Sequence, residues 1–216
     1  MKCTALFLPI LILASVAPAP ASPPPSCPTA ASSGNGNFLV IRNFQTEEAA
    51  DRSGGRKIQQ VSFQILTKSG FVNESERFTS GATYWDPMWD VVLTGTDQPQ
   101  YCAFPLVSDD GEFLVLLSEH ASGPDDSAFW IYRRRYHPGD RLGDGPAAST
   151  LVKTVTLSEI WPVLKFPKAL MVTDSTPLWF SGGSFKFSES NRLLMHDTRW
   201  GNSVRISLSD GAVSKK

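Results

Sequence analysis

The chain has 216 residues, 41% of them hydrophobic and 19% charged, with 20 Lys and Arg against 21 Asp and Glu for a formal charge of −1. That length can bury one sizeable core or at most two small ones. A balance this close to neutral argues against a general nucleic-acid or anionic-lipid binder, either of which would carry a basic excess.

The first element in the chain is an export signal. Met1-Lys2 gives a positive start, Ala5 to Val16 is an apolar run broken only by Pro9 and Ser15, and Ala19-Pro20-Ala21 sets small residues where a signal peptidase reads. This three-part pattern predicts a signal peptide over residues 1–21 with Ser22 as the new N-terminus. The run falls well short of the ~20 apolar residues that span a bilayer, and no later stretch is long and apolar enough to do so. Cys27 follows Pro24-Pro25-Ser26, which is no lipid-attachment sequence. The mature chain of 195 residues then carries 19 basic and 21 acidic residues, a formal charge of −2, and is expected outside the cytoplasm, secreted or periplasmic.

Cleavage removes Cys3 and leaves Cys27 and Cys102. An even count in an exported chain suits a disulfide that would stabilise by about 2–4 kcal/mol; the alternative is two free thiols. Asn73-Glu74-Ser75 matches a glycosylation acceptor, relevant only to a eukaryotic route.

Residues 22–37 are Pro, Ser, Ala, Gly and Asn without apolar periodicity, a composition that reads as a flexible leader. A single β-rich domain is expected over residues 38–216, beginning at Phe38-Leu39-Val40-Ile41. Gln45 to Arg56 reads as a loop. Val61, Phe63 and Ile65 alternate with Ser62 and Gln64, the signature of a strand with one wet face. Arg77 to Thr83 and Trp89 to Thr94 are weaker strands flanking a turn at Tyr84-Trp85-Asp86-Pro87. Phe113-Leu114-Val115-Leu116-Leu117 is apolar at consecutive positions and predicts a central strand covered on both faces. Phe129 to Arg133 and Leu151 to Leu157 are further strands around a loop from His137 to Ser149, and the last 40 residues read as three strands joined by turns.

An internal similarity organises this list. Val107-Ser108-Asp109-Asp110-Gly111-Glu112-Phe113-Leu114-Val115 aligns with Phe187-Ser188-Glu189-Ser190-Asn191-Arg192-Leu193-Leu194-Met195, 80 positions later. In each copy an apolar strand end meets a polar turn with Gly or Asn where positive φ is tolerated, and an apolar strand returns. The pattern resembles the blade repeat of β-propeller proteins, over Tyr101 to Val213. Closed propellers take at least about four blades, for which the ordered part is barely long enough. The fold expected is therefore all-β: antiparallel blade-like sheets in a partial propeller or sandwich-like arrangement.

The chemical motifs are sparse. Gly182-Gly183-Ser184-Phe185-Lys186 lacks the last Gly of a nucleophile elbow and precedes a strand. His-Glu-x-x-His, Cys-x-x-Cys and Gly-Lys phosphate loops are absent from the sequence. His120, His137 and His196 are too widely spaced for a local metal pair. His196-Asp197 could bring a base and an acid together but reads better as a hydrogen bond at a sheet edge. Asp140 to Gly145 lacks the alternating acids of a calcium loop, and nothing selects a glycosidase pair among Asp86, Asp90, Asp109 and Asp110. Tyr132-Arg133-Arg134-Arg135-Tyr136 splits its charges between two strand faces and reads as a cation-protected edge strand. No catalytic residue, metal or cofactor is expected.

Aromatic content is the remaining signal. Of six Trp, two lie in Tyr84-Trp85-Asp86-Pro87-Met88-Trp89-Asp90 beside acidic residues, and Trp200 sits at another expected turn. Exposed rings give a large contact area at low entropic cost. The expected binding residues are thus Trp85, Asp86, Trp89, Asp90 and Trp200, in an exported non-enzymatic protein that recognises a protein or envelope component. The alternatives are a carbohydrate-binding or carbohydrate-active domain and a structural accessory domain.

Overall fold

The structure, a computed structural model, describes residues 30–48, 56–69, 84–94, 103–118, 121, 123–135, 148–164, 184–197 and 203–215. The expected signal segment, Cys27, Cys102, Trp200, residues 140–145 and the expected strand from Arg77 to Thr83 lie outside the described residues.

Among the described residues twelve strands form three antiparallel sheets of four, each built from strands consecutive in the chain. Sheet 1 contains β1 (Ala30–Ser32), β2 (Phe38–Glu48), β3 (Arg56–Ser69) and β4 (Tyr84–Thr94). Sheet 2 contains β5 (Phe104–Val107), β6 (Phe113–Leu117), β7 (Ser127–Arg134) and β8 (Ser149–Thr156). Sheet 3 contains β9 (Ser184–Phe187), β10 (Leu193–Asp197), β11 (Ser203–Ser207) and β12 (Val213–Lys215). The all-β, antiparallel, blade-like arrangement read from the sequence is the one observed, and the sheets do not close into a barrel.

Sheet 2 lies between the other two. On one face Leu114, Leu116, Trp130 and Tyr132 pack with Val40, Val61, Phe63, Ile65, Trp89 and Val91 of sheet 1. On the other, Phe113, Val115, Leu117, Phe129 and Ile131 pack with Leu194, Val204 and Ile206 of sheet 3. All five residues of β6 are buried, as expected of a strand whose alternate side chains enter two cores.

Several sequence expectations give way. Residues 30–37, expected within the flexible leader, form β1 and a turn, with β1 paired to β2. The loop expected from Gln45 is strand as far as Glu48, which pairs with Arg56. The turn at Tyr84-Trp85-Asp86-Pro87 is strand β4, paired with Ser69, Lys68, Thr67 and Leu66. Pro87 is accommodated because β4 is an edge strand with a register shift beside it, leaving Met88 as the extra residue; a proline cannot donate to a ladder and settles at edges and bulges. β7 lies inside sheet 2 between β6 and β8, so its cations do not guard an edge. Leu157 starts a helix, α1 (Leu157–Leu164), whose Leu157, Ile160 and Leu164 enter the core between sheets 2 and 3. Its start is fixed by Glu159, which reaches back to accept the Thr156 backbone N–H at 2.8 Å, one half of a capping box.

Candidate functional site: a ridge of three turns

Each sheet opens with the same turn. In sheet 1 it is Ser33-Gly34-Asn35-Gly36-Asn37-Phe38, in sheet 2 Ser108-Asp109-Asp110-Gly111-Glu112-Phe113, and in sheet 3 Ser188-Glu189-Ser190-Asn191-Arg192-Leu193. The serine N–H donates to the carbonyl five residues on, at 2.9–3.0 Å, and its carbonyl accepts from the N–H three residues on, at 2.8–3.1 Å. The serine Oγ accepts the N–H of Phe38 at 3.0 Å, Phe113 at 2.9 Å and Leu193 at 3.2 Å. The fourth position has positive φ in every copy, 70° at Gly36, 68° at Gly111 and 53° at Asn191, which only Gly and Asn adopt readily. Ser33 and Ser108 also donate to Asn35 Oδ1 at 2.7 Å and Asp110 Oδ1 at 2.6 Å, and those oxygens accept the N–H of Asn37 and Glu112.

These turns are joined across sheets. Asn35 donates its backbone N–H to Asp109 Oδ1 at 2.9 Å and its side-chain amide to the Asp109 carbonyl at 2.7 Å. The Asp109 N–H donates to Asn191 Oδ1 at 3.2 Å. Glu112, nearly buried, binds Arg133 of its own sheet at 2.5 Å and Arg192 of the third turn at 3.4 Å. The result is one polar ridge along one end of the stack, from Asn35 through Asp109 to Asn191. Each neutral hydrogen bond contributes about 1 kcal/mol and those to charged groups more, so three short turns are held as a single surface.

The two tryptophans expected to share an exposed turn are separated. With Met88 as the extra residue, the alternation of β4 inverts, so Trp89, Val91 and Leu93 face sheet 2 while Trp85 and Pro87 face away. Trp89 is fully buried, and its Nε1–H donates to the Gly111 carbonyl at 2.7 Å. It offers no ring to a ligand and instead props the second turn from beneath. Trp85 is half-buried and pairs with Lys68, whose N–H donates to the Asn37 carbonyl at 2.9 Å. Trp85 therefore stands at the turn end of sheet 1, at the rim of the ridge. Asp86 is exposed beside it. Asp90 lies further along the outer face of β4, opposite Gln64, and burial pushes its carboxyl above the ordinary range, partly offset by a hydrogen bond to its own backbone.

His196 is buried in an interior strand and stacked on Phe185, with ring centroids 4.2 Å apart, and its Nδ1 lies 3.2 Å from the Ser184 carbonyl. Asp197 points to the opposite face and accepts the Ser203 hydroxyl at 2.5 Å. The two do not form an acid–base pair, nor an edge contact. Ser184 is the first residue of β9. Among the described residues no three His, Cys, Asp or Glu are grouped as a metal would require.

Sequence reasoning missed the first turn and with it Asn35. The signal was present: a serine, two residues, Gly or Asn, one residue, then Phe or Leu, three times over.

The fold and ridge define a class, an all-β protein of three stacked four-stranded sheets registered by a repeated Ser-initiated turn. No protein-family model matches the chain, and neither does any curated protein. Among solved structures, the crystal structure of the tricorn protease matches 87% of this chain at 11% identity with a TM-score of 0.22. The chain spans 27% of that protein's length. A likeness at that score supports no conclusion about fold or activity.

Proposed function

We propose that the mature chain is exported and works outside the cytoplasm as a non-enzymatic recognition module, holding a protein or envelope component against the turn end of the stack. The observation that carries this reading is the continuous ridge Asn35–Asp109–Asn191 with Trp85 at its rim. Turns cross-linked by hydrogen bonds lose little further entropy when a partner docks, and an aromatic side chain beside fixed polar groups is the composition that dominates binding energy at interfaces. Asp86 and Lys68, both exposed at the same end, supply charges for orientation.

The test is a cross-linked pull-down of the mature chain from its own extracytoplasmic compartment, comparing wild type with Trp85→Ala. Loss of a recovered partner at unchanged melting temperature is the expected outcome. Equal recovery removes this surface from the reading. Quenching of Trp fluorescence by millimolar sugar in wild type but not in Trp85→Ala would shift the reading to carbohydrate binding.

A further inference from the structure

The repeated turn puts the three sheets on a common frame. Aligning Ser33, Ser108 and Ser188 makes Leu39 and Ile41 of β2 equivalent to Leu114 and Leu116 of β6 and to Leu194 and His196 of β10. In sheets 2 and 3 these positions all face the preceding sheet: Leu114 and Leu116 meet sheet 1, Leu194 meets sheet 2, and His196 shares its face. The alternate positions face the following sheet, as Val40 does in sheet 1 and Phe113 and Val115 do in sheet 2. Both internal interfaces thus join the leading face of one sheet to the trailing face of the next.

Two faces of the same kinds are left over at the ends, where no described sheet covers them. The trailing face of sheet 1 carries Leu39, Ile41, Trp85, Pro87, Asp90 and Val92, the last 47% exposed, around Leu66, which is already buried in the single chain. The leading face of sheet 3 carries Leu193 and Met195, with exposed Lys186 and Arg205 paired on either side of Met195. In kind they are the two halves of the interface that the chain already makes twice. Their charges add to this, since Asp90 stands on one face and Lys186 and Arg205 on the other, although Lys68 and Asp197 also lie on the respective faces.

We infer that the occupant of these end faces is a second copy of this chain, docked head to tail so that sheet 3 of each copy packs its leading face on the trailing face of sheet 1 of the other. Contacts between unlike faces make rings when the rotation closes. The three sheets of the described residues fall short of the four to eight that closed propellers use, whereas two copies of them supply six. This closure leaves Asn35, Asp109 and Asn191 uncovered at the turn ends, while Trp85 and Lys68 stand at the turn-end margin of the docking face; Arg205→Glu, on sheet 3, alters neither and so separates loss of the dimer from loss of the recognition surface.

The test is the solution mass of the mature chain by light scattering after gel filtration, with Val92→Lys on one face, set against Lys186 and Arg205, and Arg205→Glu on the other, set against Asp90. Both positions are exposed within a single copy, so secondary structure and melting of the separated chains should change little. Wild type is expected at twice the mass of one chain. Each substitution alone is expected to weaken the dimer by about 100-fold or more, because a buried, unpaired or like-charged group at an interface costs several kcal/mol. A wild-type mass of one chain overturns the inference. So does a dimer lost in only one of the two variants, since that would mean like faces pairing. Should Val92→Lys lose the fold, Ser62→Lys, its cross-strand neighbour on the same face, makes the same test.

Discussion

The middle sheet and the two end sheets have the same strand order and the same opening turn, yet they differ in how many cores they serve. Sheet 2 buries side chains on both faces; sheets 1 and 3 each enter one internal core and carry mixed polar and apolar residues on the other side. Position in the stack decides what a residue at a given place in the repeat does. Val115 is fully buried while its counterpart Met195 is half-buried. A repeat of this kind therefore separates stability, concentrated in the middle, from the surfaces free to meet partners at the ends and along the turns.

The largest expected effect tests that separation at the core. Phe113→Ala should cost about 3–5 kcal/mol in denaturant unfolding, whereas Val92→Thr on the outer face of sheet 1, measured on separated chains, should stay within about 0.5 kcal/mol. Similar losses at both sites would break the comparison. A second contrast sets one turn position against its equivalent. Gly36 and Gly111 both have positive φ, but a Cβ at Gly36 meets nothing within 4 Å while one at Gly111 falls 2.5 Å from the Phe38 ring. Both Gly→Ala changes should cost the ~1–2 kcal/mol of a left-handed residue, and Gly111→Ala a further 1–3 kcal/mol or so from overpacking. Thermal unfolding of the two variants measures the gap.

A third prediction separates the two tryptophans of β4. Trp89→Phe removes the donor to the Gly111 carbonyl and leaves that oxygen buried and unsatisfied, at a cost of about 1–3 kcal/mol. Trp85→Phe should change stability by no more than about 0.5 kcal/mol. The smallest effects are electrostatic. Burial raises the Asp90 carboxyl, so its charged form is the disfavoured one in the folded chain. Its cost to stability is present above the raised value and is relieved as pH falls through it, and Asp90→Asn should be slightly more stable at neutral pH. Glu159 has the opposite sign, because the Thr156 N–H, with Lys153 nearby, lowers its carboxyl. Its contribution is present above the ordinary glutamate range and lost as pH falls through the lowered value. Glu159→Gln should remove that part of the acid dependence, a small part because the pair is exposed to solvent. Melting temperatures between neutral and acidic pH check both signs.

The middle of the molecule was the most legible part of the sequence. Five consecutive apolar residues in β6 announced a strand with two covered faces, and the paired turns at Ser108 and Ser188 announced repeated hairpins. The ends were harder for physical reasons. Gly34, Asn35, Gly36 and Asn37 have the composition of disorder, and the bonds that close the turn on Ser33, with those from Asn35 to Asp109, make an ordered turn of them. Pro87 suggests a turn by its chemistry, but an edge strand with a bulge tolerates it equally well, and that single extra residue sent Trp85 and Trp89 to opposite faces. Pro162 hid α1, although Thr156-Leu157-Ser158-Glu159 carried the capping signal. Of the expected binding residues, Trp85 and Asp86 lie at the rim of the ridge, Asp90 lies away from it, Trp89 is in the core and Trp200 falls outside the described residues.

Amide hydrogen exchange in the Val92→Lys chain tests the central contrast most directly, because like charges hold the end faces of that chain apart. The amides of β6 and β7 should exchange only through global unfolding, with those of β1 and β12 opening far more readily. Exchange from β6 as fast as from β12 would contradict a stack whose stability resides in its middle sheet.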